Sequence, residues 1–156
     1  MNPFSTVKPY HLIQPQAIVN NGYFVGSHQG TTPRQVDTKG FGALLIVVQY
    51  AASDIAMAEL SLYESNTTTD GDFAIIAASN YATAGIGTLP SATADNTFLG
   101  WIVTNLGTTR LRYLRVNAKA GNGSTGSFLS AFALLGLPEQ GIDSVSEAGF
   151  GQLVTV

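Results

Sequence analysis

The sequence predicts an all-β fold, an antiparallel β-sandwich of jelly-roll type with extended N- and C-terminal arms. Three observations carry this expectation. Short β-rich runs recur along the 156-residue chain between Gly, Pro, Asn and Asp turn signals, the spacing of a sandwich or barrel. Two of these runs alternate apolar and polar residues with period 2, as half-buried strands do. Two others are apolar at both parities, so both of their faces need cover.

Taken in order, residues 1–16 hold Pro3, Pro9 and Pro15 with scattered aromatics and no period, and read as an N-terminal arm. A single sandwich domain is expected over 17–136, with strands near 17–25, 34–38, 41–50, 55–64, 73–78, 98–104, 110–119 and 126–135. In the fourth run, Ala56, Ala58, Leu60 and Leu62 share one parity while Glu59, Ser61 and Tyr63 share the other. In the seventh, Leu114, Val116 and Ala118 alternate with Tyr113, Arg115, Asn117 and Lys119. The turn Gly121-Asn122-Gly123 then signals a hairpin into the eighth.

The third run, Phe41 to Tyr50, and the eighth, Ser127 to Leu135, are the two-sided ones. In the eighth, Phe128, Phe132 and Leu134 face one way and Leu129, Ala131, Ala133 and Leu135 the other. A buried helix is the competing reading for this run, disfavoured by its short length and by Gly126 and Gly136. The 19-residue stretch 79–97 has no period, and a loop of that length is usually functional. Residues 137–156 alternate Gly with isolated apolar side chains and read as a C-terminal arm.

Composition narrows function. Charged residues make up 11% of the chain, net charge is −3 and the pI is about 5.1. Such a field repels polyanions, so nucleic acid is not an expected partner. A transmembrane helix and a cleaved signal peptide are not expected, since no run approaches 18 consecutive apolar residues and Pro3, Pro9 and Pro15 interrupt any signal-like N-terminal stretch. Without cysteine, thiolate catalysis, Cys-type zinc sites and disulfides are excluded, in keeping with synthesis in a reducing compartment.

Catalytic motifs are sparse. Gly121-Asn122-Gly123-Ser124-Thr125-Gly126 matches G-x-G-x-x-G, but a Phe-rich strand follows where a dinucleotide site needs a helix N-terminus, so a hairpin loop is expected. A triad from Ser27, His28 and Asp37 fails because adjacent residues of an extended segment point apart. Asp70-Gly71-Asp72 supplies two or three of the oxygens a Ca²⁺ ion wants, and reads as a hairpin turn. Glu59 and Glu64 fall on opposite faces of one strand, so they do not form a glycosidase pair. Arg110 and Arg112 are expected to lead the inward face of the seventh strand, with Arg115 and Lys119 outward. Trp101 is expected in the core. No cofactor or metal site is expected.

The succession Asp37-Thr38-Lys39-Gly40 into a long apolar strand, Ser53-Asp54-Ile55-Ala56-Met57, an Asp-Gly turn, Pro90 to Asn96, Arg112-Tyr113-Leu114 and the Ala120 to Gly126 hairpin resembles small β-sandwich virion proteins of tailed bacteriophages. The resemblance spans residues 17–136 and rests on turns and strands. It implies a non-enzymatic head decoration or cement protein, located on the capsid surface of the virion and made in the host cytoplasm. Its expected partners are the major capsid protein and its own copies, as a homotrimer. The expected subunit and lattice contacts lie in the arms and the 79–97 loop, through Phe4, Tyr10, Tyr81, Ile86, Leu89, Ile142, Phe150, Leu153 and Val154. Competing readings are a neck, tail or fibre component, and a jelly-roll carbohydrate-binding module using Asp70 and Asp72 with calcium. A hydrolase built on Asp and Glu would require two carboxylates from different strands in one pocket.

Overall fold

The computed structural model describes residues 7–27, 32–91, 97–136 and 152–156, with the backbone alone at Ala52 and Leu153. These residues form two β-sheets packed as a sandwich. The strands are β1 (Lys8–Ile18), β2 (Val36–Asp37), β3 (Ala43–Ser53), β4 (Glu59–Ser65), β5 (Ala74–Ile75), β6 (Thr97–Val103), β7 (Tyr113–Lys119), β8 (Ser127–Gly136) and β9 (Gln152–Thr155). One sheet has the order β1-β8-β3-β6-β9 and the other β2-β7-β4-β5.

The antiparallel pairs β1:β8, β2:β7, β3:β6 and β4:β5 nest inside one another along the chain. A long hairpin of strand pairs, rolled up so that successive pairs join alternate sheets, gives this order. It is the jelly-roll arrangement of a β-sandwich, the fold class the sequence predicts. The run 127–135 is a strand, not a helix.

Inner faces interlock at the expected parity. Leu44, Ile46, Val48 and Tyr50 of β3 meet Leu99, Trp101 and Val103 of β6 and Leu129, Ala131, Ala133 and Leu135 of β8, all nearly inaccessible. The opposing sheet contributes Leu60, Leu62, Leu114, Val116 and Ala118 to the same core. Each large aliphatic side chain buried here contributes about 1.5–3 kcal/mol. Trp101 packs edge-on against Tyr81, with ring centroids 5.2 Å apart, and its indole N–H donates to the Ser79 carbonyl at 2.9 Å.

The expected domain boundaries shift at both ends. Residues 8–16, read as arm, are most of β1, paired with β8 from Lys8↔Leu135 to Ile18↔Ser127. Prolines inside the run argue against a strand, yet Pro9 and Pro15 are tolerated because β1 is the sheet's edge, where one row of N–H groups has no ladder partner. Register shifts between His11 and Ile13 and between Ile13 and Gln16 take up the irregularity, leaving both Leu12 and Ile13 buried. The expected strand 17–25 ends early because Asn20 and Asn21 adopt left-handed φ of 54° and 58°. The chain turns there, and Tyr23 only touches the other sheet through a bridge to Lys119.

At the other end, Gln152–Thr155 of the expected C-terminal arm is a strand parallel to β6, with Leu99↔Gln152 and Ile102↔Thr155. The parity of the basic residues also changes. β7 begins at Tyr113, so strand alternation does not reach Arg110 or Arg112, and Arg112 lies exposed beside Asp37.

Candidate functional site on the five-stranded sheet

Strands β3, β6 and β8 contain no Asp, Glu, Lys, Arg or His. Their inner residues fill the core, so their alternate residues form an outer face without charge. Three rows cross it: Leu134, Leu45 and Ile102; then Phe132, Val47 and Gly100; then Ser130, Gln49 and Phe98. Phe128 extends the face beside Ala17 of β1. The side chains of Phe128, Phe132 and Phe98 are 49%, 40% and 38% exposed. At the lower corner a groove of about 340 Å³ is lined by residues including Pro15, Gln16, Gln49, Phe128 and Ser130. An antiparallel sheet with one face on the core ordinarily turns polar residues outward. Val47 and Gly100 at the centre of this face are buried and Leu45, Leu134 and Ile102 are half-buried, so the exposed apolar surface is that of the three phenylalanines, with Ser130 and Gln49 between Phe128 and Phe98.

The opposite exterior, on the four-stranded sheet, is polar. Tyr23, Tyr63 and Tyr113 are half-buried there beside Glu59 and Lys119. Arg115 and Asn117, expected in solvent, are buried. The reason is the turn at Asp70–Asp72 and the following Phe73, which fold over β7. The Arg115 guanidinium lies 3.4 Å from the Phe73 ring centroid, and its Nη1 donates to Asp70 Oδ1 at 2.6 Å. Burial pulls the Arg115 pKa below the usual guanidinium range, and the bond to Asp70 opposes that fall.

Most of the acidic groups single out structural partners. Arg112 donates through Nε and Nη2 to both oxygens of Asp37, at 2.8 and 2.6 Å, and holds that carboxyl down to about 2. Glu59 accepts from Asn117 Nδ2 at 2.6 Å, and Glu64 accepts the Leu111 N–H at 3.0 Å. Asp72 accepts the Thr67 hydroxyl at 2.5 Å. Asp70 Oδ1 is engaged by the chain's own Arg115, and Asp70–Asp72 lies between the paired strands β4 and β5, as the hairpin turn read from the sequence requires. Among the described residues, no group of three or more His, Asp or Glu is arranged to hold a metal.

The glycine-rich loop has a similar answer. The Thr125 N–H donates to Asp54 Oδ2 at 2.8 Å. This bond, with further backbone N–H contacts from the loop, holds the Asp54 carboxyl below its usual range. The loop does gather amides around an anion, as such loops do, and the anion is the chain's own. A Cβ on Gly123 would run into that carboxylate. Of the triad considered from sequence, Ser27 is buried, His28 lies outside the described residues, and Asp37 is taken by Arg112.

No family model, curated protein or solved structure matches the chain.

The residues expected at subunit contacts separate into three groups. Phe4, Ile142 and Phe150 lie outside the described residues, and of Leu153 only the backbone, in β9, is described. Tyr81 and Val154 belong to the chain's own core, which corrects their assignment to a contact surface. The Tyr81 hydroxyl donates to the Gly100 carbonyl at 2.7 Å and accepts the Gly100 N–H at 3.1 Å, and burial pushes its pKa well above the usual phenol range. Tyr10, Ile86 and Leu89 are partly buried against the core.

The first half of the 79–97 loop is therefore packed down beside β9. There Gln152 accepts the Thr88 N–H at 2.8 Å and donates back to its carbonyl at 2.9 Å. Phe98 and Phe128, which the expected contact set does not include, are exposed, because period 2 within their strands puts them on the parity opposite Trp101 and Leu129.

Proposed function

We propose that the chain is a non-enzymatic structural subunit of a virus particle, a capsid decoration or cement protein that binds the major capsid protein lattice. The uncharged, phenylalanine-bearing outer face of β3, β6 and β8 carries this reading. A surface without charge, on a chain with few charges anywhere, suits a subunit that spends its working life against other protein. Its compatible partner is another apolar protein surface with matched shape, and burial there is driven by area removed from water. The resemblance of residues 17–136 to small virion proteins of tailed bacteriophages supports the same assignment.

The test is the copy number of this chain in purified virions from the source of the sequence, by quantitative peptide mass spectrometry. Hundreds of copies per particle are expected. A handful or a dozen would move the protein to a neck, tail or fibre position, and absence would end the virion reading. Phe128→Ser should lower occupancy on the particle while leaving the native mass of the free protein unchanged.

A carbohydrate-binding module is the second reading. The half-buried tyrosines of the four-stranded sheet favour it, together with Asn117, whose Oδ1 finds no partner among the described residues. Calorimetric titration with a panel of glycans separates it from the first, which expects no heat of binding.

A further inference from the structure

Two asparagine–glycine pairs meet at one end of the sandwich. In the sequence Asn precedes Gly only at Asn21-Gly22 and Asn122-Gly123, and the fold lays the first turn against the glycine-rich loop. The Asn20 N–H donates to the Gly123 carbonyl and the Asn21 N–H to the Gly121 carbonyl, both at 3.0 Å. Across the same junction Asn21 Nδ2 donates to Asn122 Oδ1 at 3.2 Å. An Asn-Gly pair carries a latent reaction, because glycine has no side chain to keep its backbone nitrogen away from the preceding amide carbon.

The two pairs are held differently. At Asn21 the attacking nitrogen is engaged, since the Gly22 N–H donates to the Val19 carbonyl at 3.0 Å inside a turn that sets Asn21 at a φ of 58°. Its leaving group is engaged as well, because Nδ2 is the atom bonded to Asn122. At Asn122 the side chain is exposed, and the Gly123 N–H has no hydrogen-bond partner among the described residues. The bond that ties down Asn21 falls on Asn122 Oδ1, the oxygen on which negative charge develops when a nucleophile adds to Cγ. A donor already aimed at that oxygen favours the addition. One hydrogen bond therefore acts oppositely on the two side chains that share it.

We infer that Asn122 is a self-modification site, converted through a cyclic imide to aspartate and isoaspartate, while Asn21 is protected and serves as its positioning residue. The Gly123 nitrogen gives up its proton to base in solution and bonds to Asn122 Cγ. The Cγ–Nδ2 bond then breaks, and the nitrogen takes up a proton and leaves as ammonia. Water adds to either carbonyl of the imide and opens it, giving an aspartyl residue at one carbonyl and an isoaspartyl residue at the other, with no change of oxidation state. The Asp54 carboxylate lies against Gly123 and accepts the Thr125 N–H, so the new carboxylate appears on the residue beside an existing one, where like charges oppose each other. The isoaspartyl form also lengthens the backbone between the two carbonyls that hold Asn20 and Asn21. Conversion thus loosens the join between the end of β1 and the β7–β8 hairpin.

The test incubates the full folded chain at mildly alkaline pH and follows both pairs by peptide mapping, with isoaspartate scored by enzymatic methylation. Asn122 should convert roughly tenfold faster than Asn21, short of the 10²–10³ that a donor supplies in a water-excluded site. In urea, where only local sequence acts, the two should convert at comparable rates. Equal rates in the folded chain, faster conversion at Asn21, protection of both, or the same bias in urea would each overturn the inference. Asn21→Gly keeps the left-handed turn and removes the donor, and should slow conversion at Asn122 several-fold. An unchanged or faster rate would overturn the role assigned to Asn21. None of these outcomes bears on the virion copy number, so the proposed function stands or falls separately.

Discussion

Two buried tyrosines allow the same chemical change to be made in opposite circumstances. The Tyr81 hydroxyl is bonded twice to the buried backbone of Gly100, whereas the hydroxyl of Tyr50, fully buried under β3, finds no partner among the described residues. Tyr81→Phe removes two hydrogen bonds to Gly100, whose backbone stays paired with Leu153 of β9. At about 1 kcal/mol net per bond, a loss of about 1–2 kcal/mol is expected. For a chain of this length each kcal/mol shifts the melting temperature by roughly 2–4 °C, so Tyr81→Phe should melt about 2–8 °C lower.

Tyr50→Phe removes a desolvated hydroxyl that gives nothing back, and should be neutral or stabilising by up to about 1 kcal/mol. Urea unfolding followed by near-ultraviolet circular dichroism measures both, with an unchanged m-value required for the comparison. Equal destabilisation by the two changes would refute the reasoning, because it would mean that burial of the phenol and not its bonding sets the cost. The Tyr81 pKa supplies a further check. Being raised in the folded state, it contributes stability fully present below the unfolded phenol value near 10 and lost as pH rises toward the folded value, a loss that Tyr81→Phe should abolish.

Further outcomes follow from the ion pairs and the tight turns. The Asp37 carboxyl, lowered from 3.8 to about 2, contributes stability present above pH 3.8 and lost as pH falls through 2. With the side chain 45% exposed, this contribution amounts to about 1 kcal/mol or less. Asp37→Asn should flatten the acid limb of a stability profile over that window. Arg115→Ala should cost about 2–4 kcal/mol, because it empties a buried site packed on Phe73. Asp70→Asn should cost less than about 1, since its side chain is 66% exposed and the Asp70 carbonyl still accepts Arg115 Nη2 at 3.0 Å; chemical denaturation orders the two. Gly121→Ala should destabilise by about 2 kcal/mol or more, its Cβ meeting the Ala56 carbonyl oxygen, while Gly71→Ala, with open space around it, should stay within about 0.5. A thermal shift comparison of the pair checks this.

The sequence by itself determined the strands of the sandwich body. Period-2 alternation around Leu60 and Leu114 is read by neighbouring residues along one strand, and Gly121-Asn122-Gly123 needs only local backbone conformation to turn the chain. The two-sided character of β3 and β8 was equally legible, because it depends on the absence of charge at every position and not on a partner. Tertiary structure decided the rest. β1 tolerates Pro9 and Pro15 only because it lies at an edge, and four residues of β9 become a strand only because β6 offers them an unpaired row. Arg115 is buried because a turn 45 residues away in sequence folds over it, and the amides of the glycine-rich loop are occupied by Asp54 from beyond the end of β3. The common physical reason is that alternation reports which side a residue faces, while what lies on that side is set by chain segments far away in sequence. Few charges in the composition left open where the uncharged residues would gather; the sheet order places them on the outside of β3, β6 and β8.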